Sequence, residues 1–168
     1  MIPDLRAHGE SSGSFDFSAA VEDLFALLDE LSSGRVVLVG QSLGGNLAQE
    51  MVRRARDRMA AIVVADATGN TGARHTLATA LTIAALNAHA RLPGDHFARY
   101  AAQMIALDPQ VQRYALEANG QRPNQETVRI LTSLLTGALR PEQDYRLPVP
   151  TLLIHGVFDQ LGDIAMST

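Results

Sequence analysis

The sequence predicts an α/β fold built on a parallel sheet, and three observations carry that expectation. Residues 35–40, 61–66 and 150–155 form short, continuous runs rich in valine, isoleucine and leucine, the pattern of strands covered by helices on both faces. Helical apolar spacing precedes and follows the first run, so helices and strands alternate. Each run also ends in small or polar residues, which puts a loop suited to chemistry at each strand's C-terminal end.

The elements follow in order. Between Ser18 and Gly34, Val21, Leu24, Phe25, Leu28 and Leu31 fall at helical spacing, with Ser18 placed to cap the start and Gly34 to stop the chain. Val36, Val37, Leu38 and Val39 then form the first strand. From Leu43 to about Arg58 a second helix is expected, with Leu47, Met51 and Val52 facing in and the arginines facing out. The run Ile62-Val63-Val64 is the second strand.

From about Gly72 to Gln143 only helical patterns occur. One stripe runs through Leu77, Leu81, Ala85, Ala88 and Leu92, a second through Phe97, Tyr100, Ala101, Met104 and Ile105, and a third through Val128, Leu131, Leu134, Leu135 and Leu139. Breaks fall at Pro93-Gly94, Asp108-Pro109, Asn119-Gly120 and Arg140-Pro141. The organisation read from this is an α/β core over 1–71, a helical insertion or lid over 72–143, and a return to the core over 144–168, where Pro150-Thr151-Leu152-Leu153-Ile154-His155 is the third strand.

Composition narrows the function classes. With 46% hydrophobic and 19% charged residues, the 168-residue chain has the balance of a globular domain. A net charge of -4, with no basic cluster beyond Arg53, Arg54, Arg56 and Arg58, argues against a nucleic-acid surface. The chain has no cysteine, which excludes disulfides and thiolate metal sites. No apolar run approaches the ~18 residues of a membrane span, and a cytoplasmic location is expected. His75, His89 and His96 show no spacing that repeats with carboxylates, so neither metal nor cofactor is expected.

The most specific feature is Val39-Gly40-Gln41-Ser42-Leu43-Gly44-Gly45, a G-x-S-x-G pattern directly after a strand and at the start of a helix. A nucleophilic Ser42 must sit on a strained turn that projects its hydroxyl from the sheet, and Gly40 and Gly44 are expected to lack side chains because strand and helix approach there. The helix start places the Leu43 amide beside the position of a developing oxyanion. Two other readings compete: a glycine-rich turn in which Ser42 only caps the helix, and a phosphate-binding loop, which here lacks both G-x-G-x-x-G and a following lysine.

Four stretches together resemble the α/β-hydrolase superfamily, in its lid-bearing, lipase/esterase-like branch. Pro3-Asp4-Leu5-Arg6-Ala7-His8-Gly9-Glu10-Ser11 is similar to a family loop, with Ala7 where glycine is usual. The elbow around Ser42, the strand ending at Asp66, and Leu152-Leu153-Ile154-His155-Gly156-Val157-Phe158-Asp159 match the others. The resemblance implies a partial α/β-hydrolase parallel sheet with a helical lid, Ser42 as nucleophile and Asp159 as triad acid. Asp66 is the alternative acid, Asp163 a poorer one, and His155 is read as structural. It also implies hydrolysis of a small carboxylic ester, lactone or related acyl substrate through an acyl-enzyme. Leu77, Leu81, Leu86, Phe97, Met104 and Leu135 are candidates for an apolar pocket.

In this fold the triad runs Ser, acid, His. All five histidines of the chain precede Asp159. The expectation is therefore a chain truncated at both ends relative to the family, with activity in doubt for want of the base. Completing the sheet as a homodimer is the alternative, because without the family's third strand between them a strand at Met1 to Asp4 would lack its neighbour and Val36 to Val39 would be an open apolar edge. A non-catalytic binding protein on the same scaffold, a cofactor-free perhydrolase and a C–C bond hydrolase remain as other functions.

Overall fold

The computed structural model describes residues 1–31, 34–70, 76–120, 122–138 and 146–157. By contacts the chain divides into two compact units, Met1–Ala73 with Ser133–Thr168, and Arg74–Thr132.

The first unit is built on a parallel sheet of β1 (Val36–Gln41), β2 (Met59–Ala65) and β3 (Thr151–Ile154), in the order β1-β2-β3. Register is continuous across the C-terminal row, where Gln41 pairs with Ala65 and Ala65 with Ile154. Two helices of this unit, α1 (Phe17–Glu30) and α2 (Leu43–Arg54), pack with the face that carries Leu38, Ile62, Val64 and Leu153. Phe17, Val21, Leu47, Met51 and Val52 close that core. Helices on both faces were expected; among the described residues that is met on one face. Val37 and Val39 on β1 are 58% and 75% exposed, and Leu152 and Ile154 on β3 are 56% and 48% exposed, all on the opposite face. The pleat explains the split, because alternate side chains point to opposite faces and, past a register shift between Val36 and Val37, one register serves all three strands.

Several boundaries differ from the sequence expectation for local reasons. The first helix starts at Phe17, and its cap is Asp16, whose carboxylate accepts the Ala19 amide at 2.8 Å. Burying Phe17 contributes ~1.5–3 kcal/mol, more than the ~1 kcal/mol of a cap, so the start is set where both are satisfied. Ser18 instead accepts a hydrogen bond from Arg54 at 3.0 Å. The second helix ends at Arg54, and residues Arg56–Arg58 form a separate 3-10 turn leading into β2. Residues 1–5 form no strand, and Met1 and Ile2 are 84% and 99% exposed.

The arginines of α2 do more than face solvent. Glu50 is fully buried on that helix, and it accepts hydrogen bonds from Arg53 at 2.7 and 2.8 Å and from Arg54 at 2.7 Å. Arg54 continues to Glu22 on α1, and Arg58 reaches Asp29 at 2.7 Å, so charge ties the solvent edge of the helix pair together.

The loop before α1 is organised by its own side chains. Asp4 accepts the Glu10 amide at 3.0 Å through its carboxylate and the Ser11 hydroxyl at 2.9 Å through its carbonyl. Arg6 donates two 2.7 Å hydrogen bonds to Asp23 on α1, which hold the Asp23 carboxyl below the usual carboxylate range. Ala7 sits between these anchors with φ of 62°, in the left-handed region. That geometry is the physical reason for a glycine preference there. Ala7→Gly is accordingly expected to raise stability by about 1 kcal/mol, checked by urea unfolding.

The second unit contains α3 (Thr76–Ala90), α4 (His96–Ile105), α5 (Pro109–Gly120) and the start of α6 (Asn124–Gly137). Helix α4 packs against both α3 and α5 and buries Phe97, Ala98 and Ala102. The His89 ring stacks on Tyr100 at 4.6 Å. Helix α5 lies between the expected breaks, and Asp108 starts it by accepting the Gln110 amide at 2.6 Å.

Candidate active site

The C-terminal edge of the sheet assembles the candidate site. Ser42 follows β1 directly and has φ of 49° and ψ of -117°, a conformation that non-glycine residues rarely adopt. Its hydroxyl makes no capping hydrogen bond to the helix, which removes the reading of Ser42 as a mere N-cap. The strain is held in place by the flanking backbone. The Ser42 amide donates to the Ala65 carbonyl at 2.9 Å, and the Ser42 carbonyl accepts the Asn46 amide at 3.1 Å. The result is an exposed serine on a rigid turn, with Gln41 exposed beside it.

The close approach of strand and helix is real, and one glycine differs from the expectation. A Cβ on Gly40 would lie 2.2 Å from the Gly44 carbonyl oxygen, so Gly40 is required. A Cβ on Gly44 would meet nothing within 4 Å, whereas one on Gly45 would lie 2.8 Å from Ala67 and 2.9 Å from Val64. The steric demand on α2 is therefore at Gly45, which faces β2, and Gly44 lies on the open side. Leu43 is the first residue of α2, and its amide belongs to the first helical turn, whose N–H groups have no intrahelical acceptor. It can serve an oxyanion there.

Behind the elbow lies a buried polar cluster that the sequence reading missed. Asn46 donates to the Thr68 carbonyl at 3.0 Å and to the Asn70 side chain at 2.6 Å. Gln49 donates to the same Thr68 carbonyl at 2.9 Å and accepts the Asn70 amide at 3.1 Å. Asn70 in turn donates to the Asn46 carbonyl at 2.8 Å. These bonds satisfy polar groups that burial would otherwise leave costly, and they tie the first turns of α2 to the loop after β2. The signal for it was present: Asn46 and Gln49 share the inner side of α2 with Leu47, where polar residues need partners.

Asp66, the alternative acid, lies in the same row as Ser42, one strand over. It has φ of 42°, and its carboxylate accepts the Gly156 amide at 2.7 Å. His155 is exposed at the end of β3. Asp159 and Asp163 lie outside the described residues, as do His75 and Leu139. The His8 ring nitrogen Nδ1 lies 3.0 Å from the Arg6 carbonyl, and His89 Nδ1 lies 2.9 Å from the Ala85 carbonyl. Of the pocket candidates, Leu77, Leu81 and Met104 are exposed, Leu86 and Leu135 are half-buried, and Phe97 is buried among the helices of its own unit. Among the described residues no group of three or more histidine, aspartate or glutamate side chains could hold a metal ion. No described helix is long and apolar enough to cross a membrane.

Comparison with known proteins agrees with this fold. The chain is 27% identical to an esterase from Thermogutta terrifontis, with a TM-score of 0.71 over 95% of this chain and 61% of that one. An enol-lactonase from Burkholderia xenovorans shares the fold, with a TM-score of 0.72 at 21% identity over 98% of this chain and 64% of that one. Among sequences, Lipase LipV of Mycobacterium tuberculosis is 41% identical over 66 residues, 38% of this chain and 25% of that protein. Protein ABHD8 of Bos taurus is 24% identical over 169 residues, 95% of this chain and 38% of that protein. The chain thus spans between a quarter and two fifths of the length of these curated relatives. A family model described as the alpha/beta hydrolase family matches residues 1–165, nearly the whole chain. The chain belongs to the alpha/beta hydrolase family.

Proposed function

We propose that this chain carries the nucleophile of a serine hydrolase that cleaves a small carboxylic ester, lactone or related acyl substrate through an acyl-enzyme on Ser42. The observation that carries the reading is the backbone of Ser42 itself, a positive φ on a non-glycine residue that aims an uncommitted hydroxyl out of the sheet. Strain of this kind costs about 1–3 kcal/mol and persists where the surroundings over-determine it, as the Ala65 and Asn46 hydrogen bonds do. The likeness to an esterase at 27% identity supports an acyl substrate.

In this reading Ser42 Oγ attacks the substrate carbonyl, and the Leu43 amide donates a hydrogen bond to the oxyanion as it forms. Asp159, five positions after the last residue of β3 in the sequence, is the triad acid, and the helices of the second unit act as the lid. A serine hydroxyl needs a base to attack at neutral pH, in this family a histidine after the acid; all five histidines of this sequence precede Asp159, so the base is one of these or is supplied from outside this sequence.

A fluorophosphonate probe tests the assignment on the folded chain. Labelling is expected at Ser42, with Ser42→Ala reducing it at least ~1000-fold, the scale of losing a triad member. No labelling of folded protein, or labelling that survives Ser42→Ala, overturns it. The first of those outcomes favours a binding protein on a hydrolase scaffold.

A further inference from the structure

Three hydrogen bonds run sideways along the C-terminal edge of the sheet. The Ser42 amide donates to Ala65, the Asp66 amide donates to Ile154 at 2.9 Å, and the Gly156 amide donates to the Asp66 carboxylate at 2.7 Å. The last two leave a single residue, Asp66, and grip the chain on either side of His155. We propose that Asp66 is a positioning residue that clamps the turn after β3, fixing Ile154 and Gly156 against the end of β2, and that it is not itself the triad acid. The clamp stands on the geometry alone, and its bearing on catalysis rests on the function proposed above.

Two features of Asp66 fit this role. Its φ of 42° places it in the left-handed region, which aspartate and asparagine tolerate better than other side-chain-bearing residues. That conformation ends β2 and lets the carboxylate reach across to the neighbouring strand's turn. The 2.7 Å distance to Gly156 is that of a charge-assisted hydrogen bond, about twice as strong as a neutral one. Glycine at this position would satisfy the backbone and lose the clamp, whereas asparagine keeps both the conformation and an acceptor oxygen. A triad acid has a different requirement: it needs its negative charge to stabilise the imidazolium, which asparagine cannot supply.

Asp66→Asn, Asp66→Gly and Asp66→Ala separate these requirements. In amide hydrogen exchange of the folded chain, Gly156 in Asp66→Gly and Asp66→Ala is expected to exchange about tenfold faster or more, while Val63 and Val64 keep their protection. Asp66→Asn should restore most of the Gly156 protection. Unchanged exchange at Gly156 in Asp66→Gly overturns the clamp, whether or not Ser42 reacts with fluorophosphonate. Where it reacts, Asp66→Asn is expected to label within about tenfold of the wild type, and a fall of about 1000-fold or more would make Asp66 the acid instead. A chain that shows no labelling but loses Gly156 protection in Asp66→Gly keeps the clamp and rejects only the proposed hydrolase activity.

Discussion

Replacing Gly40 with alanine is expected to cost about 3 kcal/mol or more of stability and to abolish the elbow. The new Cβ would lie 2.2 Å from the Gly44 carbonyl oxygen and 2.6 Å from the Gly45 nitrogen. Both contacts are backbone atoms in the first turn of α2, so no rotamer change relieves them. Either the end of β1 or the start of α2 must move. Movement of the strand would break the Ser42 hydrogen bond to Ala65, and movement of the helix would expose Leu47, which is 1% exposed. Gly44→Ala is the control, because its Cβ would meet nothing within 4 Å. It lies inside a helix, where alanine is favoured over glycine by ~1 kcal/mol, so it should be neutral or stabilising. Urea unfolding of the two variants decides the matter. Equal effects would mean that the close packing lies elsewhere.

The double variant Arg53→Ala/Arg54→Ala should be about as damaging, at roughly 3–5 kcal/mol, for an electrostatic reason. It removes the Arg53 and Arg54 guanidinium groups that bond Glu50, whose side chain is 0% exposed and sits one turn before the C-terminal end of α2. A carboxylate that loses these two cations in that position keeps its desolvation penalty with less to offset it. Adding Glu50→Leu to the double variant is expected to recover much of the loss, since replacing a whole buried ion group by an apolar side chain is often neutral. Failure of the triple variant to recover stability would locate the damage in other contacts of the two arginines, among them those of Arg54 with Glu22 and Ser18 on α1. Thermal or urea unfolding reads the comparison.

The sequence carried the elbow because its signal is local. Gly40, Ser42 and the strand-then-helix context are contiguous, and a Cβ-free position next to a helix start is a steric necessity that leaves a pattern in the letters. The same holds for the three strands and for Leu47, Met51 and Val52, whose spacing alone marks one face of α2. The assignment of Gly44 as the second sterically required glycine failed for a complementary reason. Two adjacent glycines look alike in sequence, and only the rotation of α2 over β2 decides that Gly45 faces Val64 and Ala67 while Gly44 is open.

Longer-range features were legible only in part. Asp66 was visible as a carboxylate at a strand end, but its partner Gly156 is 90 positions away and is delivered by the parallel pairing of β2 with β3. Asn46, Gln49, Thr68 and Asn70 are ordinary polar residues until the crossover from β1 through α2 to β2 brings the helix onto the loop. Glu50 reads as a solvated helix position between two apolar turns, and burial beneath α1 makes it the centre of an ion cluster instead. By itself, then, the sequence determined the family and the order of strands and helices, because each rests on neighbouring residues and fixed periodicity. The tertiary structure decided which glycine is forced, which polar groups are buried, which face of the sheet is covered and what Asp66 holds, because those depend on contacts between segments that the chain order keeps far apart.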